Sequence, residues 1–532
     1  MLDGGDRQIL DTLAQRERFR DEYRRRRDPI GDDRLLWRAQ TFRHLTHLLP
    51  GQKILELGCG DGGFTRQLNR VSRGENPITA VSFGGAPRPG GLPGSVEYLC
   101  GKDQLSRLQD RQFDLVVGID LLDRRNSSLL LQAVHDRLIP GGQMVFFESN
   151  PWNMVLRARR WMGSFYGAKD PRALMSRSEL YELMSEIGLI RIFSVYTDFV
   201  YAPLTRRAVW LLRNLSLVLE NTPMVRTLAG AIILHAQKPP RVVERPVVAL
   251  RAHPELRGAV SVVIPCHNEE MNVGPLVNRL CELFGEYLQE IIPVDDNSRD
   301  GTRQVIEQLA ANDPRVKPVF RVPPNGVGLA LAEGYRAATG RWILSLDCDF
   351  QHLLPEVRDL FDAAAVGYDV AVGSRFSRHS VLLNYPVQKI VANRAFHVFA
   401  RIVLRRRFRD LTNNLKLLRR EVVDQLILTQ TGFAVNAETG LQPLLLGAKV
   451  CEVPISWINR TPDMGTSSFR LVKAAGGYWQ VLLGLWLRCV FGVGRYRKLK
   501  VDTTVRETSR GDGLVREPQA QKLQGTENDW LP

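Results

Sequence analysis

Between Lys53 and Lys238 short apolar runs alternate with amphipathic stretches. KILEL (53–57), ITAVSF (78–83), VEYLC (96–100), FDLVVGI (113–119) and GQMVFFES (142–149) have strand length, and SSLLLQAVHDRLIP (127–140) has helical periodicity. Unbroken apolar runs separated by helical segments predict a mostly parallel sheet covered on both faces. The alternation stops in QKPPRVVERPVVALRAHPELRGA (237–259), rich in Pro and Arg, and then starts afresh. SVVIPCHNEE (261–270), EIIPVDDNSRDGT (290–302), VKPVFRV (316–322), RWILSLDCDF (341–350) and DVAVGSRF (369–376) make a second α/β series without the glycine loop of the first. The expected fold class is α/β with two different domains. Residues 1–34 form a charged arm with a solvated face, 35–238 the first domain and 239–258 a linker. Residues 259–500 form the second domain and 501–532 a polar, disordered tail.

Composition narrows the partners. The 532 residues are 44% hydrophobic and 24% charged, enough for two buried cores, and the net charge of +15 favours anionic partners. Nucleic acid is set aside, because no basic segment is interleaved with stacking aromatics. The seven cysteines form no CxxC pair and several lie in apolar runs, which points to buried thiols in a reducing compartment. The N-terminus has no signal-peptide pattern, so a cytoplasmic protein is expected. Residues 478–493 are apolar but interrupted by Arg488 and shorter than the roughly 20 residues of a membrane span. Together with residues 384–408, where apolar groups adjoin arginines, they are expected to rest on an anionic membrane surface at its inner face.

ILELGCGDGGFT places Gly58, Gly60, Gly62 and Gly63 where a strand ends and a helix begins. Missing side chains there let backbone approach a ligand closely. With Glu56 ahead of the loop and the strands that follow, residues 35–238 resemble the class I S-adenosylmethionine-dependent methyltransferases. The resemblance implies that the loop with Glu56, Gly58 and Gly60 wraps the cofactor's amino-acid part, and that Asp103 meets the adenine edge. Asp120 and Asp123 would line the cofactor and acceptor sides, and Asn150 to Asn153 would rim the methyl acceptor. The family's ribose-binding acid at the end of the second strand is Ser82 here. That departure is open to three readings: looser binding, an acid supplied from elsewhere, or a domain that has lost catalysis. If the methyl acceptor is a sugar hydroxyl, Asp120, Asp123 and His135 are candidate bases.

LSLDCDF ends an apolar strand with Asp347 and Asp349, a spacing that holds a divalent cation against a diphosphate. With the acidic turns before it, the second half resembles family 2 glycosyltransferases of the GT-A fold over residues 259–470, and within them the dolichyl- and polyprenyl-phosphate sugar synthases. The resemblance implies that Pro265, Asn268, Glu269, Asp295 and Asp296 hold the nucleoside and that Gly328 lies near the diphosphate. Asp347, Asp349 and Gln351 would be the metal side, with Mg2+ and Mn2+ both open. Arg375, Asp410, Lys416 and Glu438 match further family positions; Asn414-Leu415 stands where the family has Gly-Phe. An acceptor phosphate would meet Arg375, Lys389 and Arg394, whereas a hydroxyl acceptor would need Asp410 or Glu438 as base. The expected function is bifunctional: metal-dependent inverting transfer from a UDP- or GDP-sugar to a polyprenyl phosphate or other lipid, plus methyl transfer from S-adenosylmethionine. The alternative is transfer to a hydroxyl of a glycan or small molecule, with the methyltransferase-like domain a non-catalytic scaffold.

Overall fold

The computed structural model describes residues 4–28, 30–84, 89–101, 108, 111–124, 127–153, 157, 173–200, 212, 215–240, 250, 253–349, 354–377, 379–383, 385–458, 471–493, 496 and 506–507. The first sheet takes strands β1 (Ile54–Leu57), β2 (Ile78–Ser82), β3 (Val96–Cys100), β4 (Phe113–Ile119), β5 (Leu138–Ser149), β6 (Ile190–Thr197) and β7 (Ala231–Gln237) in the order β3-β2-β1-β4-β5-β7-β6. The first five are parallel, while β7 runs antiparallel between β5 and β6. Leu57 pairs with Val81 and with Gly118, so Gly58, Ser82 and Ile119 emerge at one edge. In parallel α/β sheets that carboxyl edge is where ligands bind. Two apolar clusters cover the faces, one around Leu55, Val116 and Phe146, the other around Ile54, Val117 and Phe147.

Helices α1 (Gly4–Arg27) and α2 (Gly31–Thr46) precede β1, and α3 (Gly63–Val71) follows it. Helices α4 (Ser127–Arg137) and α5 (Arg177–Glu186) come later, and Ser176 and Glu179 close a capping box on α5. The charged N-terminal segment is no solvated arm. Leu10, Leu13 and Ala14 are buried in the first core, and Arg16, Glu17 and Asp21 are buried with them.

The second sheet holds β8 (Val260–Cys266), β9 (Leu288–Asp295), β10 (Val319–Phe320), β11 (Trp342–Ser345), β12 (Val370–Ser374), β14 (Lys416–Arg419), β15 (Val450–Pro454) and β17 (Arg506–Glu507), in the order β10-β9-β8-β11-β14-β12-β15-β17. Strands β13 (Val381–Leu383) and β16 (Ser456–Ile458) form a separate pair. Strand β14 is antiparallel to both neighbours. Helices α6 (Glu270–Phe284), α7 (Thr302–Asn312), α8 (Val327–Ala337), α9 (Leu354–Ala365), α10 (Val387–Leu404), α11 (Val435–Leu446) and α12 (Leu471–Phe491) cover it. Part of the expected linker belongs to this domain, because Leu250 and Leu256 are buried in its core. Of the expected disordered tail, Arg506 and Glu507 pair with Cys451 and Glu452.

The halves are joined by buried charge. Asp359 on α9 takes Arg43 of α2 at 3.3 Å and Arg73 at 2.5 Å, Arg73 also reaches Asp362, and Arg358 takes Glu75 at 2.6 Å. His44 Nδ1 lies 2.5 Å from Glu356, whose carboxylate also accepts from the Ser456 amide and hydroxyl.

Candidate active site

In the second domain the antiparallel course of β14 builds the site. Its first residue, Lys416, pairs with Ser345 of β11 and with Val372 of β12, so Asp347, Arg375 and Lys416 gather at one sheet edge. Asp347 and Asp349 are half-buried there. Burial and the neighbouring Asp349 charge both push the Asp347 carboxyl upward, and the Asn414 amide donates to Asp347 at 2.7 Å, itself accepting from Ser345. Two hard oxygen donors that repel each other suit a divalent cation in donor chemistry. Gln351 lies outside the described residues, and among those described no three His, Cys, Asp or Glu side chains are grouped to hold a metal.

Arg375 and Asp410 form a bidentate pair, Nε to Oδ2 at 2.7 Å and Nη2 to Oδ1 at 3.0 Å. Asp410 is fully buried; burial alone would raise its pKa, but the Arg375 charge and hydrogen bonds hold it well below the usual carboxylate range. Arg375 also donates to the Tyr385 hydroxyl at 3.3 Å. Lys416 is fully buried, and burial pushes its ammonium down to about 7 against the opposing pull of Asp410 and Asp347. His397 donates from Nδ1 to the Asn393 carbonyl and accepts the Leu411 amide at Nε2, the neutral tautomer, with burial pressing its pKa to about 4. Arg394 stacks over Phe376 at 5.2 Å and donates to the Arg409 carbonyl, and Lys389 is half-buried beside Arg375.

Both expected bases are engaged by other groups of the protein in this structure. Asp410 is held ionised by Arg375, and Glu438 on α11 accepts from the Thr429 and Gln430 amides and the Thr429 hydroxyl. That fixes the 429–431 loop, which Gly328 touches through its amide to the Thr431 carbonyl at 2.8 Å. Asp296 is committed to Arg321 and to the Gly326 amide, and Asp295 accepts from Ser298 at 3.2 Å. Asn268, with φ +57°, links to Ser298 and Arg299, and Glu269 to Asn272, while Pro265 is the last residue but one of β8, next to Cys266, the partner of Asp295. Sequence reasoning missed Tyr385, from the loop before α10, His397 of α10 and Tyr478 of α12, whose hydroxyl donates to the Phe433 carbonyl; no local pattern marks them.

The first domain presents a different picture. Gly58, Gly60 and Gly62 have φ of +66°, +54° and +70°, and the loop follows β1. Helix α1 lies directly on it. Arg20 donates to the carbonyls of Gly58 (2.7 Å) and Ile119 (3.0 Å), Asp21 accepts the Asp61 amide at 2.9 Å, and Arg24 pairs with Asp61. Glu17 accepts from the Ser82 hydroxyl and from the Phe83 amide at 2.8 Å. A Cβ on Gly60 would collide with Asp21 and one on Gly63 with Arg24. The residues present therefore do not fit S-adenosylmethionine alongside α1. Glu56 is buried and pushed up to about 7 by burial; Asp120 accepts from Ser149 at 2.6 Å; Asp123 pairs with Arg16. Asn150 and Asn153 are buried and tie the 227–229 carbonyls. His135 sits at the far end of α4 beside Asp136, and Asp103 lies outside the described residues.

Comparison with known proteins agrees with this division. Residues 261–427 match Glycosyl transferase family 2 and residues 23–190 match a methyltransferase domain family. The polyprenol monophosphomannose synthase of Mycolicibacterium smegmatis is 30% identical over 213 residues, 39% of this chain and 79% of that protein. The dolichol-phosphate mannosyltransferase of Pyrococcus furiosus is 31% identical over 202 residues, 37% of this chain and 56% of that one. Among solved structures, glucosyl-3-phosphoglycerate synthase from Mycobacterium tuberculosis with phosphoglyceric acid is 18% identical, covering 45% of this chain and 88% of that chain, with a TM-score of 0.33. The expectation of a polyprenyl phosphate acceptor is corrected here. In this chain Arg375, expected to clamp a lipid phosphate, is already bidentate on Asp410. Through its C-terminal half the chain belongs to Glycosyl transferase family 2, and a methyltransferase domain is fused in front of it.

Proposed function

We propose that the C-terminal domain transfers a sugar from a UDP- or GDP-linked donor to a hydroxyl of a glycan or small molecule, with the N-terminal domain a non-catalytic scaffold. The observation that carries this reading is the meeting of the Asp347 and Asp349 strand end with Lys416 and the Arg375–Asp410 pair at one sheet edge. Asp347 and Asp349 would hold Mg2+ or Mn2+, which when bound neutralises the leaving diphosphate. The turns at Pro265, Asn268, Glu269 and Asp295, with Gly328 against the 429–431 loop, would seat the nucleotide. Lys416 and Arg375 supply positive charge in a water-poor edge, where charge developing in the transition state is stabilised most strongly, and Asp410 or Glu438 would take the proton of the acceptor hydroxyl. The scaffold reading is supported by α1 lying across the glycine loop.

The test is transfer by purified full chain from labelled UDP- and GDP-sugars, with Mg2+ or Mn2+, to a panel of soluble hydroxyl acceptors. Water-soluble labelled product that disappears in Asp349→Asn is expected. Turnover unaltered by that substitution would refute the assignment of the metal edge.

A second observation favours a membrane surface as partner. Val391, Phe399 and Ile402 of α10 and Trp479, Leu483, Leu487 and Phe491 of α12 are exposed, Phe399 and Trp479 meet edge-to-face at 4.8 Å, and exposed Arg405 and Arg407 follow α10. Among the described residues no helix is long and apolar enough to cross a membrane. An apolar band with a cationic border suits an anionic lipid interface. Co-sedimentation with phosphatidylglycerol vesicles, reduced in a Phe399→Ser/Leu483→Ser variant and absent with neutral vesicles, is the expected result. Equal pelleting of the variant would discard this surface.

A further inference from the structure

The apolar stripe of α1 does not end where its apolar residues end. Leu10, Leu13 and Ala14 point into the first core, and the same helix face continues with Glu17, Arg20, Asp21 and Arg24, spaced as i, i+3, i+4 and i+7. Each of these charges meets a polar group at the carboxyl edge of the sheet. Arg20 spans the carbonyls that end β1 and β4, Glu17 takes the amide and hydroxyl that end β2, and Asp21 takes a loop amide. Arg24 neutralises Asp61, and Arg16 reaches the Leu121 carbonyl at 2.7 Å and Asp123.

Burying Arg16, Glu17 and Asp21 is costly without partners; here Arg16 pairs with Asp123 and Asp21 with Arg20, while Glu17 accepts two hydrogen bonds from the end of β2. The space that the glycines leave for a close ligand is taken by the carboxylate of Asp21 and the guanidinium of Arg24. A lid resting above a bound nucleoside would leave a layer between itself and the loop. Arg20 leaves none, since it bonds the Gly58 carbonyl itself.

We infer that helix α1 is an intramolecular ligand of the methyltransferase cleft, occupying in cis the place at the strand ends where an S-adenosyl nucleoside would bind, so that the two are mutually exclusive. The inference deepens the scaffold reading and rests on it: the cleft has become a receptor for a helix patterned with paired charges. Ser82 belongs to the receptor. Its hydroxyl donates to Glu17, and a carboxylate in its place would face that buried acid and repel the helix.

Amide hydrogen exchange over residues 13–24 of the full chain, with and without millimolar S-adenosylhomocysteine, tests this alongside calorimetric titration of the same compound. The intact chain is expected to protect α1 as strongly as β1 and β4 and to give no binding heat. Ser82→Asp, and independently Arg20→Ala/Arg24→Ala, are expected to lower that protection at least tenfold. Binding of S-adenosylhomocysteine that strips protection from α1 would also support mutual exclusion, while overturning the scaffold reading alone. The inference falls if the compound binds the intact chain with α1 still protected. It also falls if α1 exchanges like a free helix, or if its protection survives both variants.

Discussion

Asp410 shows how far a residue's chemistry is set by what reaches it from elsewhere in the chain. Its place among the family's acids is readable, but the partner that decides its role, Arg375, arrives from the end of another strand 35 residues away. The pair should be indispensable to the fold. Asp410→Asn leaves a buried guanidinium without its counter-charge, and we expect a loss of about 3–5 kcal/mol in denaturant unfolding together with loss of transfer. The double variant Asp410→Asn/Arg375→Met should recover much of the stability and none of the activity. Glu290 makes the same point outside the site. Burial alone would raise its pKa, yet hydrogen bonds from Lys317, Ser261 and Thr339 hold it at about 2. Its folded pKa lies below the unfolded value near 4.5, so its contribution is complete above that value and is lost as pH falls toward 2. Glu290→Gln should flatten the stability–pH curve over that window, measured by urea midpoints. An unchanged slope would mean that Lys317 and Thr339 do not engage it in solution.

At the scale of elements, apolar runs and glycine turns marked most strands and both edge loops, because strand length and turn chemistry are local properties. Direction is not local. The pattern of KLLR reads the same whichever way β14 runs, and its antiparallel course is what brings Lys416 to the acids at the end of β11. Helix α1 was equally opaque: its charges read as a solvated face, since nothing in the sequence says that their partners are backbone groups of β1, β2 and β4. Among loops, the stretch 429–431 is held by Glu438 on one side and abuts Gly328 on the other. A methyl group at Gly328 would run into the Gln430 carbonyl, and backbone cannot swing aside as a side chain does. Gly328→Ala should therefore displace this loop and raise KM for the nucleotide-sugar about tenfold, or about 1.4 kcal/mol, with kcat little changed. Steady-state kinetics with the identified donor would show it; a fall in kcat at constant KM would move the loop's role from donor binding to the chemical step.

For the whole molecule, the Pro- and Arg-rich stretch suggested two modules on a tether, yet α2 and α9 hold the modules together through buried ion pairs. Asp359 is the hinge of that contact, for it is buried and receives both Arg43 and Arg73. Arg43 is buried as well, so the cost of stranding it falls on the interface and not on either core. Glu356, one turn away, joins His44 of the first domain to the Ser456 amide of the second, which makes the contact continuous with the strand pair β13–β16. Val381 and Leu383 of that pair are buried in the same apolar cluster as Phe42 and Leu45 of α2. Charge and apolar packing thus act on one seam, and the two domains should melt together. Calorimetry of the intact chain is expected to give one cooperative endotherm. Asp359→Ala, which leaves both cores whole, should split it in two, the second domain unfolding apart from the first. If the variant instead melted as one unit at lower temperature, the apolar seam between α2 and β13 would be carrying the coupling, with the ion pairs setting only its orientation.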